Sequence, residues 1–380
     1  MSKIKIPSPV KRNDGRYMIR YTENGKRKCI YGKTAFEVKS KYTQLAIHKQ
    51  QETKEFTGTL ADCVYDWLVN FKFGKIKNSS YDRLESVYVN HIKDDAIGKM
   101  EVHKIKSIDI QQYIDRKAFP DDRRKLLSIS SLKKIKELLS GFFKFAYEQN
   151  MITFNPMLAI SLPLNENMEK KTKVVEEIPS KVINALYEDC NMKRRYNTAF
   201  VIMLNTGLRI GELLALKWDD INFDNKTIRV NKTISINKKR DGQTVVKGTC
   251  RIEGSTKTAC GNRTIPMNEK VLYCLRLIQE ENSRLGIITE NIITTTKGTP
   301  ASARNIQRAF DSWLHSRNFK HYNLHALRHT FGSILIRNKV DVKVVSELLG
   351  HSNVQTTYNI YIHIIQEQKA QAVQILNQII

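Results

Sequence analysis

Three short stretches in the C-terminal half carry side chains able to act together on one small anionic target. In LHALRHTFGS (324–333), His325 and Arg328 stand three apart, so on a helix they project from one face. In LGHSNVQTTYNIYIH (349–363), His351 follows a helix-ending Gly350, and Tyr361 lies ten residues beyond His351. Upstream, TGLRIGEL (206–213) sets Arg209 at the start of an apolar helical stretch. Two arginines, histidines and a tyrosine suit attack on a phosphodiester by a tyrosine hydroxyl, with cationic donors on the phosphoryl oxygens. Tyr358, one helical turn before Tyr361, is the rival nucleophile, and Tyr322 is a remote third.

Composition fits a polyanion as the target. The 380 residues suffice for two or three domains, and 41% hydrophobic residues allow ordinary cores. Lys and Arg total 63 against 38 Asp and Glu, a net charge of +25 that exceeds what solubility requires and favours nucleic acid over an acidic membrane. The six cysteines contain no CxxC pair, which speaks against a zinc ribbon or a disulfide framework and for a reducing compartment. The first residues, MSKIKIPSPVKRNDG, lack the apolar core of a signal peptide, and no apolar run approaches the ~20 residues of a membrane span. The expectation is a cytoplasmic protein.

The elements that must position these residues follow in order. Residues 1–55 hold fourteen Lys/Arg against five Asp/Glu. GRYMIRYT and KRKCIYG read as two strands joined by a tight turn at Asn24-Gly25, with a helix from about Thr34. Arg16, Arg20, Lys26, Arg27 and Lys28 line this basic ribbon, which could enter a DNA groove. Residues 56–165 read as a bundle of four or five helices, with Ser107 as a cap and Trp67, Phe71, Phe142, Phe143, Phe145 and Tyr147 as core. The charged stretch 163–177 reads as an interdomain linker, its boundaries set at 166–177. Residues 178–380 mix helices with short strands: Ser180 as a cap, strands around Asp224-Asn225, a polar insertion at 237–250, and helices from Asn268, Ala301 and Asn323. A terminal amphipathic helix is expected at 364–380, packing at home or on a neighbouring subunit.

TGLRIGEL, the TKT…RTIP stretch, LHALRHTFGS and LGHSNVQTTYNIYIH, in this order, resemble the tyrosine recombinase (phage integrase) family. The helical region is similar to that family's core-binding (SAM-like) domain. The N-terminal ribbon is similar to the arm-binding domain of integrases from conjugative transposons and Gram-positive phages. The implied fold is multidomain and mainly α with small β parts, ending in a mixed α+β catalytic domain. The resemblance implies that Arg209 and Arg328 clamp the scissile phosphate and that Tyr361 is the nucleophile, forming a 3′-phosphotyrosine. It further implies Lys257 as general acid, His325 in proton transfer, His351 as a donor to the phosphate, and Glu212 orienting the clamp. Lys247, in the same insertion, competes with Lys257. Two positions depart from the family pattern: Ala326 where Asp is frequent, and Gly261 where Ser is frequent.

The implied activity is site-specific integration and excision of a mobile element or prophage in a bacterial host. It would run through a Holliday junction, without metal, ATP or other cofactor. The implied partners are double-stranded DNA with core and arm attachment sites, three further copies forming a tetramer on that DNA, and an excisionase or host DNA-bending protein. The enzyme would lie in the cytoplasm with the nucleoid. A type IB topoisomerase shares this chemistry, but a basic N-terminal module argues for the integrase. A non-catalytic DNA-binding regulator would not need Tyr361. A metal hydrolase built on His325, His329, His351 and His363 is disfavoured, because HALRH lacks the Glu of HExxH.

Overall fold

The computed structural model describes residues 7–23, 26–52, 58–119, 127–162, 176–190, 195–242, 244–255 and 261–376. The chain divides into two units, residues 1–168 and 169–380.

In the first unit, β1 (Val10–Lys11), β2 (Tyr17–Glu23) and β3 (Lys26–Gly32) form an antiparallel sheet in that order, followed by α1 (Ala35–Glu52). Alternation along the strands gives the sheet a covered face, where Ile19 pairs with Ile30, and Ile19 and Val38 are buried. The same alternation divides the expected basic ribbon. Arg20 and Arg27 fall on the face opposite Ile19, whereas Lys26 and Lys28 share the register parity of Ile19. The Asn24-Gly25 turn lies outside the described residues.

The bundle comprises α2 (Leu60–Trp67), which runs into a π-helical turn (Leu68–Lys72), then α3 (Asn78–His91), α4 (Ser107–Ala118) and α5 (Ile129–Glu148). Thr59 and Ser128 cap α2 and α5 by accepting the N–H groups of Asp62 and Ser131, both at 3.2 Å. Ser107 is not a cap. It is the first residue of α4, and the Asp109 carboxylate instead accepts the Lys106 N–H at 2.8 Å. Trp67, Phe142 and Phe143 are core, as their spacing predicts, with Trp67 edge-on to Phe142 at 6.0 Å. Phe71 and Tyr147 depart from that expectation and stay exposed, because their helix positions turn outward.

The second unit opens with α6 (Ser180–Glu188), in which Ser180 is the first helical residue after Pro179 rather than the cap. Next comes α7 (Asn197–Thr206), apolar nearly all round and buried at every position but Asn205. A helix hydrophobic on all sides belongs in a core; α7 packs against α9 (Glu269–Arg284) and α11 (Leu324–Arg337). Between them lie α8 (Ile210–Leu213) and the strands β4 (Ile221–Asn222), β5 (Thr227–Val230), β6 (Lys232–Asp241), β7 (Thr244–Ser255) and β8 (Arg263–Pro266). One small sheet has the order β4-β5-β8, and β6 and β7 pair separately. The polar insertion is therefore the outer part of a long hairpin. Then come α10 (Ala303–Ser316), α12 (Val342–Leu349) and α13 (Val354–Leu376). This last element is two helical segments that meet at a kink at Tyr361 (φ −107, ψ 16), and the second covers the expected helix from 364 as far as residue 376. Residues 377–380 lie outside the described residues.

Candidate active site

The C-terminus of α12 organises the site. Gly350 takes a left-handed conformation (φ 65), which glycine adopts without strain. Its N–H donates to the Glu347 carbonyl at 3.0 Å, and the His351 N–H donates to Ser346 at 3.1 Å, the pairing of a Schellman turn. That turn satisfies two of the carbonyls a helix end leaves open. The next three, on Leu348, Leu349 and Gly350, each accept from a different arginine. Arg263 Nε reaches Leu348 at 2.7 Å, Arg328 Nη2 reaches Leu349 at 2.6 Å, and Arg209 Nη2 reaches Gly350 at 3.1 Å. The negative end of the helix dipole thus holds three guanidinium groups together.

Each arginine arrives from a different element. Gly207 ends α7 in a left-handed turn (φ 63) that brings Arg209 to the N-terminal edge of α8. A side chain at Gly207 would also overlap the Phe331 ring. The Gly207 carbonyl accepts a second hydrogen bond from Arg328, Nη1 at 2.6 Å. Glu212, only 3% exposed, receives Arg209 Nη1 at 2.7 Å and the Arg209 backbone N–H at 2.9 Å. Its other side receives Arg263, with Nη2 at 2.9 Å and Nη1 at 3.3 Å. Burial alone would raise the Glu212 carboxyl, but its hydrogen bonds from Arg263 and Arg209 outweigh it and hold the group below the usual carboxylate range. Three guanidinium charges thus face one carboxylate. Burial first and the nearby Arg209 second push Arg328 down to about 9, which still leaves it cationic at neutral pH. An excess of fixed positive charge in a partly dry pocket is ready for an anion.

Three imidazoles surround this cage. His325, on the first turn of α11, meets His329 edge-on, with ring centroids 4.3 Å apart. Burial, Arg328 and Arg209 hold His325 below its ordinary value. Burial and His325 lower His329 to about 4, and burial with Arg328 and Arg209 lowers His351 to about 3. His351 is therefore neutral at pH 7, and its Nδ1 is 2.7 Å from the hydroxyl of buried Thr357.

Tyr361 is fully buried between α11, α12 and α13, in a cluster with Ile336, Val345, Leu349 and Ile364. Its hydroxyl donates to the His329 carbonyl at 3.3 Å. Gly332, on the facing turn of α11, makes room for it, because a methyl group there would overlap the hydroxyl. Burial raises the phenol above its ordinary value even though Arg328 opposes the shift. Tyr358 lies one turn earlier and is half-buried, whereas Tyr322 is buried in the main core of the unit.

The fold thus gathers Arg209, Glu212, Arg328, His351 and Tyr361 around one helix end, with His325 on the adjoining turn. Lys257, the expected general acid, lies outside the described residues, as do all of residues 256–260. Arg263, in the RTIP strand, was not among the expected site residues, since an arginine on a short strand reads as surface. Ala326 is 2% exposed and belongs to the apolar core of the unit. In the N-terminal sheet, Arg20, Arg27 and Lys28 are exposed, and Arg16 is held by Asp14 at 3.0 Å. Among the described residues no group of His, Cys, Asp and Glu is arranged to hold a metal, and no helix is long and apolar enough to cross a membrane.

Comparison with known proteins bears on the family and the fold. The phage integrase family matches residues 176–368, and the phage integrase N-terminal SAM-like domain matches residues 59–118. A XerC-like tyrosine recombinase of Caldanaerobacter subterraneus subsp. tengcongensis is 31% identical over 376 residues, covering 94% of this chain and 93% of the relative. The Tn1549 transposon integrase, solved with a circular intermediate DNA, superposes with a TM-score of 0.64 at 22% identity, covering 83% of this chain and 99% of that one. A lambda integrase tetramer on a Holliday junction gives 0.55 at 18% identity, covering 91% and 96%. At such identities the structural likeness shows the fold, mostly helical with small sheets. The chain belongs to the phage integrase family, the tyrosine recombinases, which cleave and rejoin DNA strands in site-specific recombination.

Proposed function

We propose that this enzyme inserts and excises a mobile element, a prophage or a conjugative transposon, and that the cage at the end of α12 is where strands are cut. The scissile phosphate occupies the cage, where Arg209 and Arg328 donate to its non-bridging oxygens. Those oxygens gain negative charge in the pentacoordinate transition state, so the clamp stabilises it more than the ground state. His351 adds a donor: with Nδ1 accepting from Thr357, a neutral ring leaves its Nε2–H for the phosphate. Tyr361 attacks phosphorus and the 5′ oxygen departs, giving a 3′-phosphotyrosine and a 5′-hydroxyl. Because the Tyr361 hydroxyl stays protonated at neutral pH, its proton must pass to a base, the role given to His325. Lys257 protonates the leaving oxygen. The phosphotyrosine bond conserves the energy of the cut, so rejoining needs neither ATP nor a metal.

The single observation that carries this reading is that one helix end holds three arginines beside a buried tyrosine. Following the lambda integrase tetramer, four copies assemble on two DNA sites and exchange strands through a Holliday junction. The sheet at 1–55 binds arm sites while the bundle at 56–165 and the unit from 178 grip the core site, so each tether raises the effective concentration of the other. An excisionase or a host DNA-bending protein sets direction, in a bacterial cytoplasm close to the nucleoid.

The test uses nicked duplexes tiled across the DNA flanking the coding sequence, incubated with EDTA and resolved on a denaturing gel. A DNA-linked protein band present in wild type and in Tyr358→Phe, but absent in Tyr361→Phe, is expected. Binding without any such band would instead favour a non-catalytic regulator, and relaxation without recombinant products a topoisomerase.

A further inference from the structure

Arg263 is 7% exposed, and its fork joins three separate parts of the site. Nε holds the Leu348 carbonyl at the end of α12, Nη2 and Nη1 hold both oxygens of Glu212, and Nη1 also reaches the Gly261 carbonyl at 3.3 Å. The strand that carries it is pinned by the pairing of Arg263 with Val230 of β5. Glu212 in turn grips Arg209 through both its guanidinium and its backbone N–H. We infer that Arg263 is a positioning residue that neutralises Glu212, so that the charge of Arg209 is left for the scissile phosphate.

Charge balance requires such a residue. A carboxylate that is 3% exposed cannot be satisfied by water, so it must be satisfied by cations. With Arg263 in place, each Glu212 oxygen has a guanidinium donor that never meets the substrate. Without it, Arg209 becomes the sole arginine partner of Glu212 and is drawn fully onto the carboxylate. The same loss frees the Leu348 carbonyl and loosens the helix end on which Arg328 and Arg209 rest. A lysine could offset the charge of Glu212 but cannot span three acceptors with one planar fork.

The inference rests on the proposed cleavage site, and its test separates the two. Wild type first locates its scissile phosphate on the tiled duplexes. That phosphate is then replaced by a methylphosphonate, whose neutral methyl group removes one oxygen charge and with it part of the need for the clamp. On the natural diester, Arg263→Ala is expected to form covalent adduct roughly 10²-fold more slowly than wild type, the scale of a small misplacement at a reacting centre. DNA affinity should stay near wild type, whereas the melting temperature should fall, because buried Glu212 loses one of its two arginine partners. On the methylphosphonate most of the deficit should vanish, and in a Glu212→Gln background the Arg263→Ala change should cost little, since no carboxylate charge remains to capture Arg209. Arg263→Lys should fall between, with the same recovery, and serves if the alanine variant fails to fold. Equal losses on both substrates, or no loss at all, would overturn the positioning role. No adduct from wild type on any duplex would instead overturn the site itself.

Discussion

The molecule has two basic regions built on opposite plans. At the end of α12, three arginines are pinned by backbone carbonyls and a buried carboxylate, so their geometry is fixed before any phosphate arrives. In the N-terminal sheet, Arg20 and Arg27 stand exposed on the face opposite Ile19. A fixed guanidinium can stabilise a transition state because nothing must reorganise at the moment of reaction. An exposed one adds to affinity by displacing counterions and tolerates many backbone positions. On the proposed function, the first region catalyses and the second captures DNA.

That contrast can be broken in several places, beginning with the largest effect. Arg328→Ala should reduce covalent adduct by about 10²–10³-fold, as for loss of one oxyanion donor, while DNA affinity in a gel-shift assay changes far less. Equal losses in both assays would erase the distinction. Gly332→Ala should cost roughly 10²-fold in cleavage, because the new methyl group displaces the Tyr361 hydroxyl. Unchanged cleavage would mean that Tyr361 reacts from some other position. Deleting residues 1–55 should weaken binding to arm-site DNA yet spare cleavage of a core site. Equal arm-site binding by the truncated and full-length proteins would refute the assignment of DNA capture to the sheet. Alanine at Arg20 or Arg27 should lower the log–log salt slope of arm-site binding by roughly 0.9 for each phosphate left without its cation.

A pH titration probes the imidazoles around the cage. The folded protein holds His325, His329 and His351 below 6.5, the last two near 4 and 3, so the unfolded chain takes up protons first as pH falls. Their contribution to stability is complete above 6.5 and is lost progressively down towards those folded values. The melting temperature should therefore decline between pH 6.5 and 4, and a flat profile would contradict histidines held neutral around the cage.

Much of this was legible in the sequence because the signals are local. The three-residue spacing of His325 and Arg328, the glycine before His351 and the Thr-Gly before Arg209 each specify a backbone feature the fold then realises. The role of Arg263 was not legible, because its partners lie 51 and 85 residues away and meet only on folding. The first half of β6 was legible as the strand NKTISI, but not its extension or its pairing with β7, whose polar residues give no alternation to read. Tyr361 was legible as a residue but not in its setting: Gly332, one turn beyond Arg328, reads as an ordinary helical glycine until the facing hydroxyl is known.

The most direct measurement identifies the residue that carries the DNA. Trapped adduct from a nicked duplex, digested with trypsin and nuclease, is sequenced by mass spectrometry. A nucleotide on Tyr361 is the expected result. A nucleotide on Tyr358 or Tyr322 would contradict the assignment and mean that the buried hydroxyl in the Gly332 notch is not the nucleophile.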